Sequence, residues 1–498
     1  MKKSTKTLAI MLSLILCTGC GSRMDSTSET GNTIQTETVV LATEASTAAA
    51  ASTTSLSAED MFTNRDYGVD YSDYVTITLE DGASKTSGSG VSIEGDTITI
   101  TQAGSYVLKG SLSDGQIVVA LADDAKAQLV LDNASVTSTT SAALYIKSGD
   151  KVFLTTTADS RNVLASTGDY VQTDDNNVDG AIFSKSDLTM NGQGTLTVTS
   201  ETGHGIVGKD DLKITSGTYE ITAARHGISA NDSIRIAAGS ISIQSGGDGM
   251  QVSSDKEGKG YIYICGGNIT IKSGDDGVHA ENELTVTGSV MNIEAHEGLE
   301  AADITISGGD LTMVTDDDGI NASGGSQPTL TISGGVLHIN SQGDSLDANG
   351  NLYVTGGELY ITGPSGSDNG ILDYDNTGTI SGGTVIGLGV SGMQQNFDQD
   401  STQGCILYTL PSMQAAGTIV ALSDASGNVI AQYTAQESFQ VVIVSAPQIT
   451  AGETYSLMVG TETYTIEMTS LIYGEGFSMG FRGGMNPGGG MRGGKGGW

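Results

Sequence analysis

Between residues 178 and 385 the chain repeats one pattern: a polar residue and a Gly, then three short runs with aliphatic residues at every second position. The first run reads Ile228-x-Ala230, Val278-x-Ala280, Leu299-x-Ala301, Ile320-x-Ala322 and Leu346-x-Ala348. The second reads Ile234-x-Ile236, Ile262-x-Ile264, Leu284-x-Val286, Ile304-x-Ile306, Leu330-x-Ile332 and Leu352-x-Val354. The third reads Ile241-x-Ile243, Ile269-x-Ile271, Leu311-x-Met313, Leu337-x-Ile339 and Leu359-x-Ile361. Alternation with a period of two marks strands with one inward and one outward face. The Gly positions 180, 205, 227, 249, 277, 298 and 319, then Ser345 and Gly370, follow one another at intervals of 21 to 28 residues. A period near 22 marks a solenoid, in which each repeat buries its apolar face only against its neighbours.

Three strands per coil, no helical segment and equivalent positions one coil apart predict a single-stranded parallel β-helix over residues 60–400. Gly pairs such as Gly266-Gly267, Gly308-Gly309, Gly334-Gly335 and Gly356-Gly357 mark sharp turns between the second and third strands. The stretches Ser254 to Lys259 and Ser323 to Gln327 fall between the first and second strands and predict projections from one edge. Spacing is less regular from residue 60 to 178, as in the first coils and cap of a solenoid. Residues 401–472 predict a small β-rich extension. A period of nine would be needed for the nonapeptide calcium roll. The acidic, Gly-punctuated pattern disfavours a membrane barrel.

The ends change the picture. Lys2, Lys3 and Lys6 precede an apolar run from Leu8 to Leu16 and then Thr18-Gly19-Cys20, the layout of an export signal over residues 1–19. The small residues before Cys20 resemble a bacterial lipobox, implying lipid on Cys20, a protein held on the outer face of the cell membrane by that lipid, and no transmembrane helix. Cys17 stands where Leu is usual in such a motif. Residues 20–59 are a Ser/Thr/Ala-rich tether, and 473–498 a Gly-rich tail that reads as disordered. Cys265 and Cys405, some six coils or roughly 29 Å apart at about 4.8 Å per stacked strand, read as unpaired thiols.

Lys plus Arg number 22 against 58 Asp plus Glu, a formal charge of -36, which repels nucleic acid and anionic lipid and favours a cation as partner. The acids are not scattered. Aligned by Gly, the preceding residue runs His204, His226, Asp248, Asp276, Glu297, Asp318, Asp344, Asn369, and the second residue after it runs Val207, Ser229, Gln251, His279, Glu300, Asn321, Asp347. One position further upstream adds Asp275, His296, Asp317 and Asp368. Stacking predicts an acidic ridge of Asp275, Asp276, Glu297, Glu300, Asp317, Asp318, Asn321, Asp344 and Asp347, with Asp248 one coil before.

Two carboxylates about 5 Å apart at an effective dielectric near 20 repel by roughly 3 kcal/mol. A cation must neutralise them, or their pKa values rise. A single Asp-Gly is an ordinary turn dipeptide; the crowding of acids is what favours metal. Hard oxygen donors in this number suit Ca²⁺, whereas zinc is less apt because no Cys and few His join the ridge. His204 and His226 read as turn or surface residues. Outward Tyr263, Tyr353 and Tyr360 are candidates for stacking on sugar rings, although lone outward Tyr is common on strands.

The unit Asp317-Asp318-Gly319-Ile320-Asn321-Ala322, followed by Leu330 to Gly335, resembles a family of surface-attached, calcium-containing right-handed parallel β-helix proteins that bind cellulose and acidic sugars such as polygalacturonate. Their fold is similar to that of pectate lyases of family nine. The resemblance extends over about residues 60 to 480 and implies calcium on the Asp-rich turns and polysaccharide at the surface. Lyases of that fold use a Lys to remove the C5 proton, yet no Lys or Arg occurs between Lys272 and Arg482. Lys272 is the nearby candidate base, and as a strand-end Lys it also reads as a solvated charge. The sequence therefore points to a lipid-anchored, Ca²⁺-binding, polysaccharide-binding adhesin, with a calcium-dependent lyase and a ligand-free structural stalk as alternatives.

Overall fold

The computed structural model describes residues 61–476. The expected export signal, lipid site at Cys20 and tether, and the part of the expected tail beyond residue 476, lie outside the described residues. The chain forms a parallel β-solenoid of about 12 turns. One inward position shows why. Ile228, Met250, Val278, Leu299, Ile320, Leu346 and Leu372 pair in register coil after coil, and each is 0% exposed. Burying a side chain of this size stabilises by about 1.5–3 kcal/mol, and no single coil can do it alone.

In the later coils strand structure runs unbroken through the Gly pair, as in Thr329–Ser341 and Asn351–Thr362. The two glycines there have different causes. A Cβ on Gly334 would sit 2.3 Å from the Ser307 carbonyl oxygen, so the first is required by the closeness of the coil before it. The second, Gly335, has φ of 91°, which an L side chain rarely adopts. Ser254 to Lys259 and Ser323 to Gln327 do lie between first and second strands, after Met250–Val252 and Ile320–Ala322.

At the C-terminal end the third-strand sheet turns antiparallel: Phe439–Ser445 pairs with Thr377–Gly389, and Cys405–Gln414 pairs with Phe439–Ser445. A separate antiparallel sheet of Ile419–Ser423, Val429–Thr434, Thr454–Val459 and Glu462–Glu467 completes this end around a second core containing Phe439, Leu457 and Ile466. Tyr473, assigned to the tail from sequence, lies in a short strand, Ile472–Tyr473, beside Cys405. Cys265 and Cys405 are both free.

Sequence reading missed the way the chain enters. Residues 61–68 include a four-residue helix, Asn64–Tyr67, and strap across the second-strand face instead of starting the first coil. Asp66 is wholly buried there. Its carboxylate lies 2.6 Å from Lys151 Nζ and 3.5 Å from Lys213 Nζ, and accepts from Thr189 Oγ1 at 2.8 Å. Its carbonyl accepts from Thr215 Oγ1 and Asn191 Nδ2. Arg65 lies over the Phe153 ring, and Met61 and Phe62 cover Tyr263.

Candidate functional site

The ridge is built by glycine. A Cβ on Gly249 would meet the Gly277 carbonyl oxygen at 2.5 Å, and one on Gly277 the Gly298 oxygen at 2.6 Å. The turns of successive coils therefore nest, and the backbone bonds follow: Gly249 N–H donates to Asp276 O, Gly277 to Glu297 O, Gly298 to Asp318 O and Gly319 to Asp344 O. Residues before the Gly stack at the spacing of adjacent strands, about 4.8 Å. The column after the Gly is in register as Gln251, His279, Glu300, Asn321, Asp347 and Asp373. Asp373 was not anticipated, because its coil carries an extra residue between Gly370 and the in-register position.

The ridge has two parts. In the first, one donor atom each from Asp248, Asp276 and His279 lie within 4.8 Å of one another, and so do those of Asp276, Glu297 and Glu300. His279 Nδ1 stands 3.1 Å from Asp276 Oδ2 and 3.3 Å from Glu300 Oε2. The hydrogen bond to Asp276, with the charge of Glu300, pushes His279 up to about 9 against the cost of its burial. It is an imidazolium at neutral pH, an internal counter-charge that an acids-only reading overlooked although His279 stood in the aligned column. Burial, with Asp248 and Glu300 nearby, pushes Asp276 up to about 6. Burial and three acidic neighbours push Glu297 to about 7.

The second part, among the described residues, has no such counter-charge at its centre. Burial first pushes Asp318 up to about 6, Asp344 to about 7 and Asp347 to about 8; Asp317 and Asp373 add to it at Asp318, where the Asp344 N–H and His296 oppose it, Asp318 and Asp373 add to it at Asp344, and Asp318 and Asp344 at Asp347. Asp318 Oδ1 accepts the Asp344 N–H at 2.7 Å, and Asp344 Oδ1 accepts the Gly370 N–H. One oxygen of each thus serves the turn. His226 does the same through Nδ1, which accepts the Asp248 N–H at 2.9 Å, and its ring stacks on His204 at 4.9 Å. Asn321 joins the two parts: its Nδ2 donates to Glu297 Oε2 at 3.0 Å, while its Oδ1 is buried with no partner. A buried amide oxygen left unpaired costs about 1–3 kcal/mol, and here it is flanked in register by Glu300 and Asp347.

Not every expected residue joins. Asp275 is exposed on the rim. Asp317 is half-buried, 3.7 Å from His296 Nε2, and converges with Asp318 over Gly343, where an added Cβ would lie 2.4 Å from an oxygen of each. The His, Cys, Asp and Glu donors close enough to share one ion among the described residues are the two trios of the first part; Asp344 and Asp347 lie two coils beyond Glu297 and Glu300. The three tyrosines form no single platform. Tyr263 is 2% exposed beneath Met61 and Phe62. Tyr360 stacks on His338 at 5.0 Å and tilts against Tyr433 at 5.8 Å, so its ring faces are engaged. Tyr353 is half-buried on the second-strand face between Thr331 and Thr379. Lys272 is 61% exposed on a third strand and ion-paired with Glu294.

A family profile described as "Carbohydrate-binding domain-containing protein" matches residues 94–363 and 297–405, more than half of the chain. The chain belongs to the carbohydrate-binding domain-containing protein family. A relative of that description from Acetivibrio thermocellus is 38% identical over 136 residues, which is 27% of this chain and 48% of the relative. The match thus spans about half the length of that relative. A solved structure, "Structure of the polysaccharide lyase-like protein from C. thermocellum, Gadolinium derivative", is 31% identical, covers 51% of this chain and 98% of that chain, and superposes with a TM-score of 0.43. The carbohydrate-binding match includes every ridge residue from Asp248 to Asp373.

Proposed function

We propose that the acidic ridge binds Ca²⁺ and, through the ion, carboxylate-bearing polysaccharide, in a protein tethered by lipid at Cys20 to the outer face of the bacterial cell, where it serves adhesion. The observation that carries this reading is the set of oxygens around Asn321. A buried amide oxygen without a partner sits between carboxylates on neighbouring coils, most of them held above their usual range. An oxygen-rich set with an unpaired amide carbonyl suits Ca²⁺, which takes six to eight such ligands. Asp276, Glu297, Glu300 and Asn321 would hold an ion in the first part, and Asp318, Asp344 and Asp347 would supply oxygens in the second. An ion so held keeps positions open for the carboxylate of a uronate. The reading is binding and not elimination, because Lys272 projects into solvent from a third strand and no Lys or Arg follows it before Arg482.

Retention on immobilised polygalacturonate should be strong with Ca²⁺ and fall at least about tenfold with chelator. Asp318→Ala with Asp344→Ala should reproduce that fall at saturating Ca²⁺. Incubation with soluble polygalacturonate should generate no ultraviolet-absorbing unsaturated sugar. Chelator-insensitive retention would refute the metal bridge, and accumulation of unsaturated product would make the protein a lyase.

A further inference from the structure

We infer that the entering segment forms a second carbohydrate site, separate from the ridge, for a neutral pyranose chain. The inference rests on the carbohydrate-binding reading; its tyrosines and Asp70 precede the family match, which begins at residue 94, and the opposite wall of the site, Thr155, Thr157 and Gln193, lies within it. Where the strap leaves the second-strand face, Tyr71 and Tyr74 meet edge to face, with centroids 5.5 Å apart and planes at 71°. They are 37% and 50% exposed. Asp73 between them takes φ of 49°, a left-handed turn that Asp tolerates better than most residues. Two tyrosines inclined at 71° offer one ring face and one ring edge at a corner open to solvent, unlike Tyr263, which is covered, and Tyr360, whose ring packs on His338 and Tyr433.

Tyr71 is also one wall of a groove of about 360 Å³, lined besides by Val69, Asp70, Thr155, Thr157 and Gln193. That volume lies in the range of small-ligand sites, roughly 300–1,000 Å³. Asp70 and Gln193 are exposed and make no side-chain hydrogen bond among the described residues. They provide a carboxylate acceptor and an amide donor and acceptor beside an aromatic face. A sugar ring has that complement: an apolar face of axial C–H bonds and a rim of hydroxyls. The charge selects the kind of sugar. The groove's lining includes a carboxylate and no cation, and nearby Lys109 is paired with Asp132 at 2.7 Å. A uronate would meet uncompensated negative charge there, whereas an uncharged glucan would not.

The test is depletion from solution by insoluble cellulose, with polygalacturonate retention run in parallel. Tyr71→Ala with Tyr74→Ala should reduce cellulose retention about tenfold and leave the melting temperature and the Ca²⁺-dependent retention on polygalacturonate unchanged. Tyr71→Phe with Tyr74→Phe should retain cellulose binding, because stacking needs the ring and not the hydroxyl. Chelator should leave cellulose retention as it was. Wild-type protein held by polygalacturonate but not by cellulose, or a double Ala variant held by cellulose as well as wild type, overturns this inference alone. Wild-type protein held by neither polymer overturns the carbohydrate-binding proposal and this site with it.

Discussion

Replacing Asp66 by Ala should release the entering segment from the solenoid and weaken its docking by about 3–5 kcal/mol, because two buried ammonium groups would lose their partner. Lys151 and Lys213 are each about nine-tenths buried. Burial and the neighbouring cations already hold Lys213 below its usual range, with Asp66 and Asp211 opposing them. Burial alone would raise the Asp66 pKa, but the bonds to Lys151, the Thr63 N–H and Thr189 outweigh it and hold the carboxyl far below the usual range. A depressed carboxylate stabilises fully above its unfolded pKa and loses that contribution as pH falls through the folded one. The strap should therefore withstand mild acid and detach only in strong acid. Proteolysis and hydrogen exchange across residues 61–74 would report the release, with Asp66→Asn intermediate because it keeps the polar contacts without the charge. Protection unchanged in Asp66→Ala would mean that the strap is held by Arg65, Phe62 and Met61 instead.

The second large effect is on pH dependence. Glu297, Asp318, Asp344 and Asp347 titrate at about 6 to 8 in the folded protein, against about 4 when unfolded. Between those values the native state carries more protons than the unfolded chain, so stability must fall as pH rises from about 4 to 8. His279, raised to about 9, contributes stability that is complete below its unfolded value and is lost as pH passes 9, which extends the decline. Metal-free protein should therefore melt on the order of 5–10 °C lower at pH 8.5 than at pH 5.5, at about 2 °C per kcal/mol. Saturating Ca²⁺ should flatten the slope by replacing those protons. Asp318→Asn with Asp344→Asn, which keeps an oxygen for each turn N–H, should remove part of the slope. A melting temperature that does not vary with pH in chelator would mean that the carboxylates are relaxed by solvent and exert no mutual strain.

The solenoid was legible because its inward positions obey one rule coil after coil: period-two aliphatics such as Ile304 and Ile306, each at most 1% exposed, separated by small turn residues, mostly glycines whose added Cβ would meet the neighbouring coil. The stacking of Asp276, Glu297, Asp318 and Asp344 followed from the same rule. What escaped lacks a period. The strap is a few residues long, and its partners Lys151, Thr189, Lys213 and Thr215 are outward positions spread over three coils that look like ordinary surface residues in sequence. Tyr263 was correctly outward by alternation, but only the strap explains why it is covered. Asp373 was hidden by a one-residue offset. His279 was visible in the column but not counted in the acidic ridge, since its charge state depends on Asp276 and Glu300 across the turn.

Calorimetric titration of metal-free protein with Ca²⁺ in two buffers of different ionisation enthalpy, at pH 6.5 and again at pH 8.5, counts the protons that leave as the ion binds. Stacked carboxylates sharing an ion predict saturable binding, release of protons at pH 6.5 that largely disappears at pH 8.5, and loss of affinity in Glu297→Gln and Asn321→Ala, which alter residues on successive coils. Binding without proton release at pH 6.5, or no saturable binding, would contradict the ridge as a shared cation site.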